Sequence, residues 1–430
     1  MTAQTRHLMR RLGAAALALG VAFGVSISPA HGAASPAPTR FVALDGGAPV
    51  LPHIKVTALT QGPSGTLYAA GVYVVRNTNA YAASPVKTLG SAWLVSQDGG
   101  ATWARTVSTT DPATFPASGV APWTNHRALP IDFTAMGIAI DPHNADTIYV
   151  AGCVDIDATC SQPTAGPGGH LVVRSTDGGQ TWQDVLTTNM PIVGVGAKPL
   201  GATLPSASYS LLVDPGNSRR LYAAVQSLGV LRSEDAGRTW LYVRQPQSNY
   251  IERPCELLAD PQNPRVVYDL AREGTLYRTT DAGAHWQTRA LLAGQLRTRS
   301  VTSLTWVGRS LYLTAARGLY ASVDAGAHWR LLIPSPQFGD LTQSIRGTNA
   351  WISVLETTGL GVGSGLYATL GGSAWRLMAD TTLRGPKYYG ALDFQAIGTY
   401  LATRLWEDHA AKIIFTSAPL GGLYRWQTSV

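Results

Sequence analysis

Four carboxylates in this 430-residue chain are candidates for acid–base chemistry: Asp132, Glu252, Glu407 and Asp408. Two carboxyl groups flanking a glycosidic bond can act as acid and base, or as acid and nucleophile, depending on their separation. Asp132 or Glu252 facing Glu407 or Asp408 across a cleft would make such a pair. Side chains suited to ligand contact are Trp123, His126, Arg127, Arg253, Arg299, Tyr388 and Trp406. They offer rings for stacking and cations for acidic groups. Other chemistries lack their signatures. No serine nucleophile elbow, zinc motif, phosphate loop or dinucleotide fingerprint is visible. Gly361-Val-Gly363-Ser-Gly365 leads toward a strand pattern and not a helix, which argues against phosphate binding. Asp155 and Asp157 could begin a calcium loop, but the loop glycine and closing glutamate are missing. No metal and no cofactor is expected.

The chain has three cysteines. Cys153 and Cys160 lie in a Pro/Gly-rich loop and are expected to pair in an oxidising compartment. Cys255, in an apolar run, reads as a buried thiol. Residues 1–32 read as a secretory signal. Arg6, Arg10 and Arg11 precede an apolar stretch, and small residues follow up to Gly32. The stretch is shorter than the ~20 residues of a comfortable membrane span. The mature chain is therefore expected to be exported, with no stable membrane insertion. The three signal arginines account for part of the net charge of +7, leaving about +4 without a basic run. Nucleic-acid binding has little support.

The elements that must position these residues show in a repeat. Ser/Thr-x-Asp-x-Gly-x-(Thr/His)-Trp recurs with Asp98 and Trp103, Asp177 and Trp182, Asp235 and Trp240, Asp281 and Trp286, and Asp324 and Trp329. Two degenerate copies end at Trp375 and Trp426. Seven of the 12 tryptophans thus share one position, at spacings of 79, 58, 46, 43, 46 and 51 residues. Upstream of three of the boxes stand Asp-Pro turns at Asp141, Asp214 and Asp260, each followed by a strand pattern. Each unit reads as strand, turn, strand, loop, strand, box hairpin, strand. In the box, glycine supplies positive φ, the carboxylate takes turn N–H groups, and the tryptophan covers apolar area between units. No long helical periodicity appears after the signal. The 45 Gly and 26 Pro of the chain suit this hairpin-rich pattern.

These segments resemble the Asp-box, or bacterial neuraminidase repeat, of sialidases, family 74 xyloglucanases, sortilin-type receptors and photosystem II assembly factors. The resemblance covers about residues 50–428. It implies an all-β, seven-bladed β-propeller over residues 50–430, with residues 33–49 as a linker. It also implies that the box aspartates hold the fold and take no part in catalysis. Box hairpins would lie on one face, and the insertions Asn77–Gly90, Thr109–Leu129 and Gly152–Gly169 on the other. Trp406, Glu407 and Asp408 would belong to a loop between second and third strands on that face. The sialidase arginine motif is absent: Thr39-Arg40-Phe41-Val42 stands in its place. The xyloglucanase cleft lies between two propellers, and this chain has room for one. The resemblance to the assembly factors implies a basic patch, for which Arg219, Arg220, Arg232 and Arg238 are candidates. The expectation is an exported, non-catalytic monomer that binds an extracellular glycan or protein on the face opposite the boxes. A glycoside hydrolase, sialidase-like or xyloglucanase-like, is the alternative.

Overall fold

The computed structural model describes residues 42–43, 50–51, 53–76, 86–109, 127–130, 133–154, 169–188, 190–193, 208–226, 228–244, 254–271, 274–290, 301–307, 309–315, 318–334, 341–344, 349–358, 361–370, 375–380, 405–408, 413–417 and 423–427, all within the compact unit Ser35–Val430. The described secondary structure consists of strands, with no helix.

The strands form seven sheets. The first contains β2 (Ile54–Gln61), β3 (Leu67–Arg76), β4 (Val86–Ser96) and β5 (Ala104–Thr109). The second contains β6 (Phe133–Asp141), β7 (Asn144–Val154), β8 (His170–Ser175) and β9 (Gln183–Thr187). The third contains β11 (Ser208–Asp214), β12 (Asn217–Val225), β13 (Gly229–Ser233) and β14 (Trp240–Arg244). A short β10 (Ile192–Val193) lies parallel to its outer strand. The fourth contains β15 (Pro254–Asp260), β16 (Asn263–Ala271), β17 (Thr275–Thr279) and β18 (Gln287–Ala290). The fifth contains β19 (Val301–Val307), β20 (Ser310–Ala315), β21 (Gly318–Ser322) and β22 (Arg330–Pro334). The sixth contains β23 (Leu341–Ser344), β24 (Asn349–Thr358), β25 (Gly361–Leu370) and β26 (Trp375–Asp380). The last contains β27 (Leu405–Asp408), β28 (Ile413–Ser417), β29 (Leu423–Gln427) and β1 (Val42–Ala43).

Within each sheet the strands meander antiparallel in chain order, apart from β10, parallel to β14, and β1, which takes the outer place of the last sheet. The first strands touch in the series β2, β6, β11, β15, β19, β23, β27, and β27 touches β2. They therefore line a central channel. The core lies between sheets, because each buries one face on its neighbour. Trp93, Tyr68 and Trp182 pack with Phe133 and Ile148 between the first and second sheets. Leu258, Leu270 and Leu276 meet Leu304 and Leu313 between the fourth and fifth. Leu423 of β29 packs against Ile54 and Val56 of β2.

Three findings depart from the repeat as read in sequence. Val42–Ala43, inside the segment read as a linker, is a strand. It pairs with β29 (Val42 with Gln427, Ala43 with Trp426) and completes the last sheet. Trp426 is consequently not a box tryptophan. It lies on the third strand of its sheet, and Gly421-Gly-Leu-Tyr-Arg425 corresponds to Gly274-Thr-Leu-Tyr-Arg278 of β17. The likeness of a Gly pair followed by Trp had concealed this shift of phase. Likewise, Trp406, Glu407 and Asp408 lie on β27, the channel-lining strand of the last sheet, and not in a loop between second and third strands.

The first strand of six sheets carries a one-residue β-bulge at an equivalent place: Thr57, Met136, Tyr209, Cys255, Thr302 and Gln343. A bulge adds one unpaired residue and bends its strand. The ladders differ beyond it. β12, β16 and β20 stop at Val225, Ala271 and Ala315. The matching residues of β7 and β3 are Gly152 and Gly71, and those strands run on to Val154 and Arg76. Two and five further residues raise the hairpins of the second and first sheets by about 7 and 17 Å.

Candidate functional site

The sheets expose two faces, one with the boxes and the first-to-second-strand turns, the other with the remaining connections. On the box face the polar groups satisfy one another. Ser96 Oγ donates to Asp98 (2.8 Å) and accepts from Gly100 N–H (2.8 Å). Asp98 also takes the Thr102 backbone N–H (2.9 Å) and hydroxyl (2.6 Å). The hydrogen bonds from Thr102 lower the Asp98 carboxyl to a pKa of about 2. Asp177 and Asp235 repeat the arrangement with Thr181 and Thr239. In the fourth and fifth sheets histidine replaces threonine: Nδ1 of His285 and of His328 lies 2.6 Å from Asp281 and Asp324. The His285 and His328 backbone N–H groups hold both carboxyls well below the usual range.

The box is also a dock for the preceding sheet. A Cβ on Gly179 would overlap the Trp93 indole, one on Gly237 would come 2.9 Å from Val185, and one on Gly283 would come 2.9 Å from Tyr222. Trp240 Nε1 donates to Val185 O (2.7 Å) and Arg232 to Ala282 O (2.7 Å), both across sheet boundaries. Trp182 meets Trp93 edge-on at 4.8 Å. Trp93 and Trp306, outside the boxes, thus also pack between strands, the latter against Tyr268.

Two constellations on this face resemble functional ones. Asp141, His143 and Ser218 meet between the turns of the second and third sheets. The Ser218 hydroxyl donates to Asp141 (2.6 Å), and His143 Nδ1 lies 3.1 Å from Ser218 Oγ. The imidazole does not stand between hydroxyl and carboxylate, so the relay of a catalytic triad is missing. The trio ties two turns together. The expected basic patch is partly neutralised. Arg220 pairs with Asp214 (3.1 Å) and Glu234 (2.9 Å), and Arg232 pairs with Glu234 (3.1 Å).

The opposite face holds the raised hairpins of the first and second sheets, and that of the sixth, where β24 runs on five residues past Ser353 to Thr358. Segment 127–130 is tied to them. Ser91 Oγ donates to Pro130 O (2.7 Å) and accepts from Phe133 N–H (2.8 Å), and Ala128 and Leu129 are buried. Arg127 projects exposed at its start. Cys153, buried on β7, is disulfide-bonded. His170 Nδ1 lies 2.7 Å from Asp184 beside the second sheet's outer strands. This pair had no signal in the sequence, because its members stand 14 positions apart on separate strands. Asp132, Glu252, Trp123, His126, Arg253, Arg299, Tyr388, Cys160, Asp155 and Asp157 lie outside the described residues. Of the proposed carboxylates, Glu407 and Asp408 are placed together on β27, on the channel wall. Among the described residues, no three His, Cys, Asp or Glu side chains gather as a metal site. None of the described residues form a helix long and apolar enough to cross a membrane, which says nothing of β-barrels.

Comparison with known proteins matches these features. The BNR/Asp-box repeat model matches residues 173–184, the hairpin around Asp177. A xyloglucanase of Paenibacillus sp. is 32% identical over 126 residues, covering 26% of this chain and 11% of that protein. The structure of a GH74 xyloglucanase from Xanthomonas campestris superposes with a TM-score of 0.55 at 16% identity, over 91% of this chain and 54% of that one. The chain thus spans only part of both xyloglucanases. The structure of YCF48 bound to D1 peptide superposes with a TM-score of 0.51 at 12% identity, over 92% of this chain and 99% of that one. At such identities the superpositions establish the fold alone. With the repeat in its sequence and the ring of sheets in its structure, the chain is an Asp-box β-propeller.

Proposed function

We propose that this chain is an exported scaffold that binds a glycan or a protein, without catalysing, through the propeller face opposite the boxes. The contrast between the two faces carries the reading. On the box face, carboxylates are committed to turns and neighbouring sheets, as with Asp98, Asp141, Asp214 and Asp281. On the opposite face, unequal hairpins rise from a rigid ring, the arrangement in which loops usually carry binding. The ring of seven sheets would act as a monomer outside the cytoplasm, after removal of residues 1–32.

A second reading is supported by the stretch of likeness to a xyloglucanase. A glycoside hydrolase would need a carboxylate pair, with Glu407 or Asp408 on the channel wall facing Asp132 or Glu252. Purified mature protein on a glycan array, beside fluorogenic glycosides that include sialosides, separates the two. The scaffold reading expects binding without turnover. Turnover abolished by Glu407→Gln, Asp408→Asn, Glu252→Gln or Asp132→Asn would overturn it.

A further inference from the structure

Asp–Gly bonds occur in the chain at 45–46, 98–99 and 177–178, of which the first lies outside the described residues. The other two stand in the boxes of the first and second sheets. An Asp–Gly bond is a chemically weak point. The backbone nitrogen that follows an aspartate can attack the protonated side-chain carboxyl at Cγ. An N–Cγ bond forms, the proton of the nitrogen and the carboxyl hydroxyl leave as water, and a succinimide ring results. Solvent water then opens the ring at either carbonyl. Opening at Cγ restores aspartate. Opening at the backbone carbonyl leaves the chain running through Cγ, as isoaspartate. Glycine permits this most readily, because a Cβ on the attacking residue crowds the ring closure.

The five boxes differ at that residue. Ala236, Ala282 and Ala325 follow Asp235, Asp281 and Asp324, at positive φ where glycine would be unstrained. Gly99 and Gly178 follow Asp98 and Asp177, at φ of 65° and 72°. Space does not impose the glycine at 178. A Cβ there would meet Asp146 Oδ1 at 3.5 Å, an ordinary contact. Three boxes thus accept strain and lack the reactive bond, and two keep a relaxed backbone and carry it.

In those two boxes a threonine holds the carboxyl group. The Thr102 hydroxyl donates to Asp98 Oδ2 (2.6 Å), and the Thr102 N–H reaches both oxygens (2.9 and 3.0 Å). Asp177 takes the Thr181 hydroxyl (2.5 Å) and N–H (2.8 Å), with the Gln180 N–H at 3.0 Å. Donors to a carboxylate favour its ionised form, and Thr102 keeps Asp98 at a pKa of about 2. Ring closure needs the neutral carboxyl, turned toward the next nitrogen and away from the residue four positions on.

We infer that Asp98–Gly99 and Asp177–Gly178 are isoaspartate-forming sites of the propeller, held in check by the hydroxyls of Thr102 and Thr181. Conversion adds a methylene to the main chain of the box and withdraws the carboxylate from its donors. At the second sheet it disturbs the turn whose Gly179 packs against the Trp93 indole.

Peptide mapping by mass spectrometry, on purified mature protein kept warm at neutral pH, tests this. The urea-unfolded chain forms isoaspartate at both bonds, and the folded chain forms it slowly. Thr102→Ala speeds conversion at Asp98 about tenfold, the worth of one hydrogen bond to a charged group, and leaves Asp177 unchanged. Thr181→Ala reverses the pattern. Gly99→Ala removes the Asp98 site even beside Thr102→Ala. Thr239→Ala leaves Asp235 level with the parent, and Thr239→Ala with Ala236→Gly creates a new site there. Equal rates at Asp98 with and without the Thr102 hydroxyl overturn the check. A rise at both sites in Thr102→Ala also overturns it, since general unfolding would then set the rate. Absence of isoaspartate at Asp98 in Thr102→Ala and at Asp177 in Thr181→Ala overturns the sites themselves.

Discussion

The first two sheets and the next three have the same strand order but solve their packing differently. In the first pair, both glycines of each box are present, Gly99-Gly100 and Gly178-Gly179. In the other three, the first of the two is alanine, and Ala236, Ala282 and Ala325 stand at φ of 62°, 58° and 57°. Opposite the bulge, Gly71 and Gly152 let β3 and β7 press onto Lys55 O and Thr134 O, where a Cβ would overlap the carbonyl. The matching residues of the other three sheets are Val225, Ala271 and Ala315. The third and fourth sheets add what the first two lack: Ser210 Oγ accepts the Leu257 N–H (3.0 Å), Glu256 Oε2 accepts the Leu304 N–H (2.8 Å), and a buried ion pair joins Arg244 to Asp269 under the Tyr277 ring at 4.0 Å. One region carries a buried ion pair and inner-edge hydrogen bonds between sheets. The other joins its sheets elsewhere, through Ser91 and Asp141, and adds close backbone approach and taller hairpins. Within a single repeat fold, two sectors thus solve the same packing problem with different means.

Removing half of the buried ion pair tests the frame hardest. Asp269→Ala strands the Arg244 charge and should cost about 3–5 kcal/mol in urea unfolding. The positions equivalent to Asp269 are apolar in four other sheets (Ala69, Val150, Ala223, Leu313), so Arg244→Met with Asp269→Leu should recover most of the loss. A small effect of the single change would mean that the pair ties nothing. Next comes Gly152→Ala, which forces β6 and β7 apart and should cost about 2–3 kcal/mol. The reverse change at the matching site, Ala315→Gly, should cost only about 0.5–1 kcal/mol. Equal costs at the two sites would erase the distinction between the regions. In the boxes the sign inverts. Ala236→Gly, Ala282→Gly and Ala325→Gly should each raise stability by about 1 kcal/mol by relieving positive φ, while Gly178→Ala should lower it by a similar amount. The smallest effect is that of acid. The Asp98 carboxyl falls from 3.8 unfolded to about 2 folded. Its contribution is full above pH 3.8 and fades as pH drops through about 2. Asp98→Asn should flatten the acid limb of a melting-temperature curve in that window and nowhere else.

The box hairpins were legible from sequence because everything they need is local. Ser, Asp, Gly and Trp within eight residues specify a turn, its acceptor, its backbone angle and its apolar cover. The raised region was legible too, since spacings of 79 and 58 exceed the later ones. What escaped was long-range. No local signal tells that Val42–Ala43 pairs with β29, or that Trp426 sits on a third strand. The Arg244–Asp269 pair joins residues 25 apart in sequence from two sheets, and side-chain-to-backbone hydrogen bonds join Ser210 to Leu257 and Glu256 to Leu304. The packing of Trp93, outside the boxes, had no local signal either, because its partner Trp182 lies a whole sheet away. Of the candidate site, Arg127 on the face opposite the boxes and Trp406, Glu407 and Asp408 on the channel wall are placed, the last three one strand away from the loop that the repeat suggested.

The pairing of β1 with β29 has a consequence for gene architecture. Because the sheet that closes the ring draws strands from both ends of the chain, the coding repeat and the structural sheet are out of step by one strand. A duplicated or deleted coding repeat would then change the number of blades while leaving the closing sheet assembled from the same two ends. β1 and β29 also lie side by side, so a chain joined between them and reopened between two other sheets would still hold every described strand pair.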